Sequence, residues 1–287
     1  MKLLPLRLLL PVLAAFAALP ASAKLSPILG SGGNLGNSSL AFLAVDTADV
    51  ASVVVDLSYF YTDAVAAGGS FDAPGTTIQW NFNANSLTVN GVAKAGTYNW
   101  STPYAAFSAA APSANTQWAV IGGAAGSYPN FYVTTGNPTT AQLGVQTTDL
   151  TTNLASVDAF YGKSNNVVSG GGKTSTQALT GFGANAVLGS NLSQDGYVAS
   201  GAAFGSGGNW QGNLRWSAMR PVGAANTSGF WALEDDLDGA TKLAGVFTFN
   251  AGILTYTTAP VPEAEAGLLA AAGLSVLWFA RRRRLQG

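Results

Sequence analysis

The chain of 287 residues contains no cysteine and no histidine. Without cysteine there are no disulfides, no thiol nucleophile and no thiolate metal site. Without histidine there is no imidazole ligand and no Ser-His-Asp or Cys-His constellation. Charge is also scarce. Only 9% of residues are charged, with 13 Lys and Arg against 14 Asp and Glu. A protein held on nucleic acid by a general positive field is therefore excluded, and no nucleic-acid partner is expected. The hydrophobic fraction of 48% removes the chain from the disordered class. Its 35 glycines have no three-residue period, which excludes collagen.

The first 23 residues have the three parts of a secretory signal. Lys2 and Arg7 supply the positive start, residues 8–19 are apolar, and Ala21-Ser22-Ala23 gives an A-x-A cleavage site that makes Lys24 the new N-terminus. Residues 24–260 then form the exported body. That body holds seven basic and twelve acidic residues, a net charge of -5. Its surface is solvated by Ser, Thr and Asn more than by charge.

The body reads as mainly β. Strand-length apolar runs occur at 39–46, 53–60, 116–121, 230–233, 244–249 and 252–256. Over 76–83 the alternation is clean, with Ile78, Trp80 and Phe82 on one face and Gln79, Asn81 and Asn83 on the other. Asn90-Gly91 is a two-residue hairpin signal. Short strands separated by Gly and Asn turns predict an antiparallel β-sandwich. Two stretches read as helix. Residues 102–107 carry Pro103 in a first turn and stop before Pro112. In 149–161, Leu150, Leu154, Val157 and Tyr161 form one apolar stripe, expected to pack on the sheet. Residues 165–177 read as a loop within a single domain.

Residues 261–287 have three parts. Val261-Pro262-Glu263 comes first, then the uncharged run 266–280, then Arg281, Arg282, Arg283 and Arg284. As a helix the run covers about 22 Å, short of a hydrocarbon core of roughly 30 Å. Snorkelling of the arginines and Trp278 shortens the deficit. The four arginines orient this single transmembrane helix with its tail in the cytoplasm. The tail resembles the PEP-CTERM sorting signal of Gram-negative bacteria, which joins a Pro-Glu-Pro motif, a short membrane helix and an Arg-rich end. Ala264 stands where that family has its second proline. The resemblance implies recognition by exosortase and the secretion machinery. It also implies an inner-membrane-anchored precursor and release to the cell surface or extracellular matrix, alongside exopolysaccharide and biofilm formation.

Three groups of residues are candidate sites in the body. Glu234, Asp236, Asp238 and Gly239 occupy positions 1, 3, 5 and 6 of a calcium loop, but position 12 falls on Gly245, which has no carboxylate. The cluster reads as a solvated acidic turn, and no metal or other cofactor is expected. Residues 170–174, Gly-Gly-Gly-Lys-Thr, lack the first glycine of a phosphate loop because Val167 stands there. Trp210, in a Gly-rich stretch, could stack on a sugar ring together with Trp216 and Tyr197. Asn37, Asn99, Asn191 and Asn226 open N-x-S/T sequons that arise readily in this composition.

Three readings follow. The first is a non-enzymatic exported surface or matrix protein. The second is a carbohydrate-binding surface protein using exposed aromatics. The third is a glycan hydrolase or lyase, which needs two carboxylates facing one cleft, whereas the acids outside 234–238 are scattered singly.

Overall fold

The computed structural model describes residues 25–26, 37–46, 51–67, 69–111, 114–124, 131–136, 150, 153–155, 157–158, 160–162, 164–165, 177–179, 184–188, 220–234 and 240–260. The strands in chain order begin with β1 (Ser39–Asp46), β2 (Ala51–Phe60), β3 (Thr77–Asn81), β4 (Ser86–Val89), β5 (Val92–Ala93), β6 (Gln117–Ala124) and β7 (Phe131–Gly136). They continue with β8 (Gln177–Leu179), β9 (Ala184–Leu188), β10 (Arg220–Pro221), β11 (Thr227–Glu234), β12 (Ala240–Asn250) and β13 (Ile253–Thr258). The helices are α1 (Tyr61–Val65) and α2 (Ser101–Ala110), and the described residues between 150 and 165 are helical as well.

The fold is mainly β and antiparallel, as the alternation predicts. It departs from the two-sheet sandwich, because the strands hydrogen-bond into one continuous sheet curled into a half-barrel. The order is β5-β4-β3-β13-β12-β11-β7-β6-β1-β2-β9-β8, with β10 branching from β6. The strand that joins the two walls is β7. It pairs with β11 from Gly229↔Gly136 to Glu234↔Phe131 and with β6 from Ile121↔Thr134 to Ala124↔Phe131. Its sequence hides this role, since Thr134 and Thr135 are buried and their hydroxyls bond locally. Thr135 Oγ1 accepts the Val120 N–H at 2.9 Å, and Thr134 Oγ1 donates to the Thr135 carbonyl at 3.1 Å.

The curled sheet buries two clusters on its two faces. The larger, on the inner face, is aromatic. Phe42 of β1 meets Phe249 of β12 at 4.6 Å and Phe82 at 4.9 Å between ring centroids, so the two walls touch through their rings. Ile78, Trp80 and Phe82 all point into it, as their period-2 spacing requires. The second cluster is mostly aliphatic. It is covered by Leu150, Leu154, Val157 and Tyr161, so the predicted stripe is helical and lies on the sheet.

Helix α2 packs on β2, β8 and β9 at one end of the sheet, while the segment before it leaves β5 at the other end. It therefore spans the open side of the half-barrel. Its first turn has no cap of its own, so Asn85 acts as a remote one. Asn85 Oδ1 accepts the N–H groups of Trp100 and Ser101 at 2.6 and 2.7 Å, and its Nδ2 donates to Ser101 Oγ at 2.8 Å. Asn90 and Gly91 take φ of 52° and 77°, the type I′ geometry that joins β4 to β5.

Residue 165 is helical and Gln177 opens β8, while 166–176 lie outside the described residues. Among the described residues no helix is long and apolar enough to cross a membrane. The expected span 266–280 lies outside them.

Candidate functional site

Few of the residues singled out by sequence fall where the structure can place them. Ala21, Ala23, Val261, Pro262, Glu263, Arg281, Arg282, Arg283 and Arg284 lie outside the described residues. So do Trp210, Trp216, Tyr197, Asp236, Asp238 and the 170–174 glycine run. Glu234 is placed. It closes β11 opposite Phe131, and its charge adds to the upward shift that burial gives the Tyr61 hydroxyl. Among the described residues no three carboxylates gather where a metal could sit. Two sequon asparagines hold the fold. Asn37 accepts the Thr62 N–H at 3.1 Å and donates to Thr62 Oγ1 at 2.9 Å, and Asn226 donates to the Val222 carbonyl at 3.3 Å.

The structure instead brings together a buried polar cluster that the sequence reading left unmarked. It forms where β2 departs from β1. Ser39 pairs with Phe60 and Ala41 with Asp56, so three residues of β2 stand opposite Leu40 alone. This bulge is shaped by Ser58, whose φ is 58°, and Asp56 Oδ1 accepts the Ser58 N–H at 2.7 Å. The other carboxyl oxygen, Oδ2, accepts from Ser39 Oγ at 2.9 Å. Ser39 Oγ in turn accepts the Ser26 N–H at 3.0 Å, and the Ser39 N–H donates to the Ser26 carbonyl at 3.2 Å. The segment 25–26 is thus laced onto β1. Leu25 adds an apolar anchor in the aliphatic cluster, and its carbonyl accepts from Asn165 Nδ2 at 2.8 Å.

Tyr161 closes the cluster from the helical layer. Its hydroxyl lies 3.0 Å from the Ser39 carbonyl and 3.3 Å from the Ile121 carbonyl. On the residue before β1, Ser38 Oγ accepts the Gly123 N–H at 2.8 Å and donates to the Ser39 carbonyl at 3.2 Å. Burial raises the Tyr161 hydroxyl well above its ordinary value, and the charges of Tyr132, Asp56 and Asp158 add to the shift, so it remains a neutral donor. Burial also pushes the Asp56 carboxyl up to about 6, against the pull of the bonds from Ser58 and Ser39.

This arrangement limits the chemistry. A serine hydroxyl 2.9 Å from a carboxylate has the spacing of a nucleophile and its base. Here, however, Ser39 is 3% and Asp56 is 6% exposed, and the Ser39 oxygen already accepts from Ser26. The cluster is therefore closed to a substrate. One sequence signal could have found it, namely Asp56 as a lone acid inside the apolar run of residues 53–60.

No protein-family model matches the chain, and no curated protein or solved structure matches it.

Proposed function

We propose that the protein is an exported, non-enzymatic surface or matrix protein, sorted by an exosortase through its PEP-CTERM-like tail and associated with exopolysaccharide. Residues 24–260 form its exported body, and two removable addresses flank that body. The observation that carries this reading is where the first and last described contacts lie relative to those addresses. At the N-terminal side, Leu25 is a core residue and Ser26 is bonded to β1, so a cut after Ala23 spares every described contact. At the C-terminal side, β13 ends at Thr258. That residue is buried, its Oγ1 accepts the Thr76 N–H at 2.8 Å, and its Oγ1 donates to the Ala73 carbonyl at 2.8 Å. The next residue, Ala259, accepts the Gly75 N–H at 3.1 Å, and the Val261-Pro262-Glu263 motif follows two residues later. Processing at the motif would leave the described sheet whole.

The carbohydrate-binding reading rests on Trp210, Trp216 and Tyr197, and no described contact favours it. Among the described residues the tryptophans Trp80, Trp100 and Trp118 face the interior, Trp231 is half-buried with its indole N–H donating to the Gly136 carbonyl at 2.9 Å, and the exposed large apolar side chain is Val92.

Tail variants test the sorting reading. Replacing Arg281, Arg282, Arg283 and Arg284 with Ser is expected to lower the ratio of processed to full-length protein across cell and medium fractions. The arginines anchor a span too short to hold itself. Ala264→Pro restores the family's usual motif and should keep or raise that ratio. Processing of the serine tail at the wild-type level would remove the arginines from the signal, and a block by Ala264→Pro would end the resemblance at that position.

A further inference from the structure

We propose that the Ser39–Asp56–Tyr161 cluster is a proton-operated lock. With a proton on Asp56 the segment 25–26 stays docked on β1 and the β2 bulge stays closed, and loss of that proton loosens both.

The geometry supports this in three ways. First, the relay is continuous, running from the Ser26 N–H to Ser39 Oγ and from Ser39 Oγ to Asp56 Oδ2. A change of charge at the carboxyl arises two hydrogen bonds from the docked segment. Second, among the described residues the groups that face Asp56 offer no compensating cation. Ser38 precedes β1, Ser39 opens it, and Ser58 comes from β2. Tyr161 comes from the helical layer, with Asp158 and Tyr132 behind it, and Ser26 from the N-terminal segment. Among the described residues neither Lys nor Arg bonds to Asp56. A buried carboxylate with two hydrogen bonds and no cation is costly in a low-dielectric site. Third, the bulge that carries Asp56 is strained. Ser58 sits in the left-handed region, and the Asp56 bond to its N–H helps to keep it there. The carbonyl of Leu57, inside the same bulge, accepts the Trp80 indole N–H at 2.8 Å, which ties the lock to the aromatic interior.

Protonation adds one hydrogen without requiring a heavy atom to move. The neutral acid donates from Oδ2 to Ser39 Oγ, the Ser39 hydroxyl hydrogen rotates out of that bond, and Oδ1 still accepts from Ser58. The folded-state carboxyl titrates near 6 against an ordinary 3.8. Stability from this group is therefore complete below about 4 and is lost as pH rises through about 6. The gap corresponds to up to about a hundred-fold in the folding equilibrium. The lock stands independently of the export reading.

Asp56→Asn in the full chain is the direct test, because asparagine copies the neutral acid. Its Oδ1 can accept from Ser58 and its Nδ2 can donate to Ser39. At pH 4 wild type and variant should exchange the Ser26 and Ser39 amides at similar rates and melt together. At pH 7.5 the wild type should exchange these amides at least about ten-fold faster than the variant and melt lower. Equal exchange and equal melting at both pH values would overturn the lock. If the variant does not fold, the carbon-13 resonance of the Asp56 carboxyl in wild type decides. A midpoint near 6 sustains the proposal, and one near 4 overturns it.

Discussion

Trp80→Ala is expected to remove most of the protein's stability. Trp80 lies fully buried between the two walls of the half-barrel. Its ring is edge-on to Tyr59 at 5.8 Å and tilted against Phe247 at 6.1 Å and Phe71 at 6.3 Å. Truncating a buried tryptophan costs about 3–5 kcal/mol in lost transfer energy and cavity. The change also strips the Leu57 carbonyl of its 2.8 Å donor inside the β2 bulge, which adds about 1–3 kcal/mol. Together these approach the whole stability of an ordinary domain, about 5–15 kcal/mol. Trp80→Phe separates the two parts, since it keeps a ring in place and loses the N–H. Denaturant titration should show Trp80→Ala unfolded or close to it in buffer. Trp80→Phe should lose about 2 kcal/mol. A Trp80→Ala unfolding free energy within about 1 kcal/mol of wild type would mean that the ring contacts across the half-barrel are not what closes it.

Gly252→Ala is expected to be strongly destabilising although it adds a single methyl group, because Gly252 is buried beneath its turn. Ala251 and Gly252 join β12 to β13 with φ of 48° and 80°, a second type I′ hairpin. A Cβ on Gly252 would overlap Asn83 Nδ2 and stand 2.6 Å from Tyr104 Cε1. Asn83 cannot move freely, because its Nδ2 donates to the Ala251 carbonyl at 2.8 Å. Tyr104 is held in the aromatic interior by Phe82 and Phe249. Left-handed strain and overpacking together cost about 3 kcal/mol. For a chain of this size that is a melting-temperature loss of about 6–12 °C. The neighbouring residue supplies the control. Ala251→Asn should raise stability by about 0.5–1 kcal/mol, because Asn tolerates the left-handed region that Ala251 is forced into. If both variants melt with the wild type, the turn is not set as described.

Much of the sheet was legible because its signals are local. β1 fills residues 39–46, the whole of the apolar run, and Ile78, Trp80 and Phe82 share the interior face that their spacing gives them. Asn90-Gly91 makes its turn for a reason visible in two letters. The hairpin at Ala251-Gly252 was not visible in that way, since alanine is a poor left-handed residue and the turn is held by Asn83 from 168 positions away. β7 escaped notice because its buried face is partly threonine, and hydroxyls satisfied by neighbouring backbone read as surface until the partners are known. Missing that strand is what made one curled sheet look like two. The Asp56 cluster was illegible for a related reason. Its members come from the N-terminal segment, β1, β2 and the helical layer, and no spacing in the chain announces that they meet.

The central claim is that a folded body is delivered outside the cell with both of its addresses removed. Intact-mass measurement of the exported protein, from cells with and without the exosortase, tests it most directly. With the exosortase, the exported form should begin at or near Lys24 and lack Arg281, Arg282, Arg283 and Arg284. Without it, the tail should remain and the protein should stay with the membrane fraction. An exported form that still carries the arginines, or the same mass from both strains, would contradict the account.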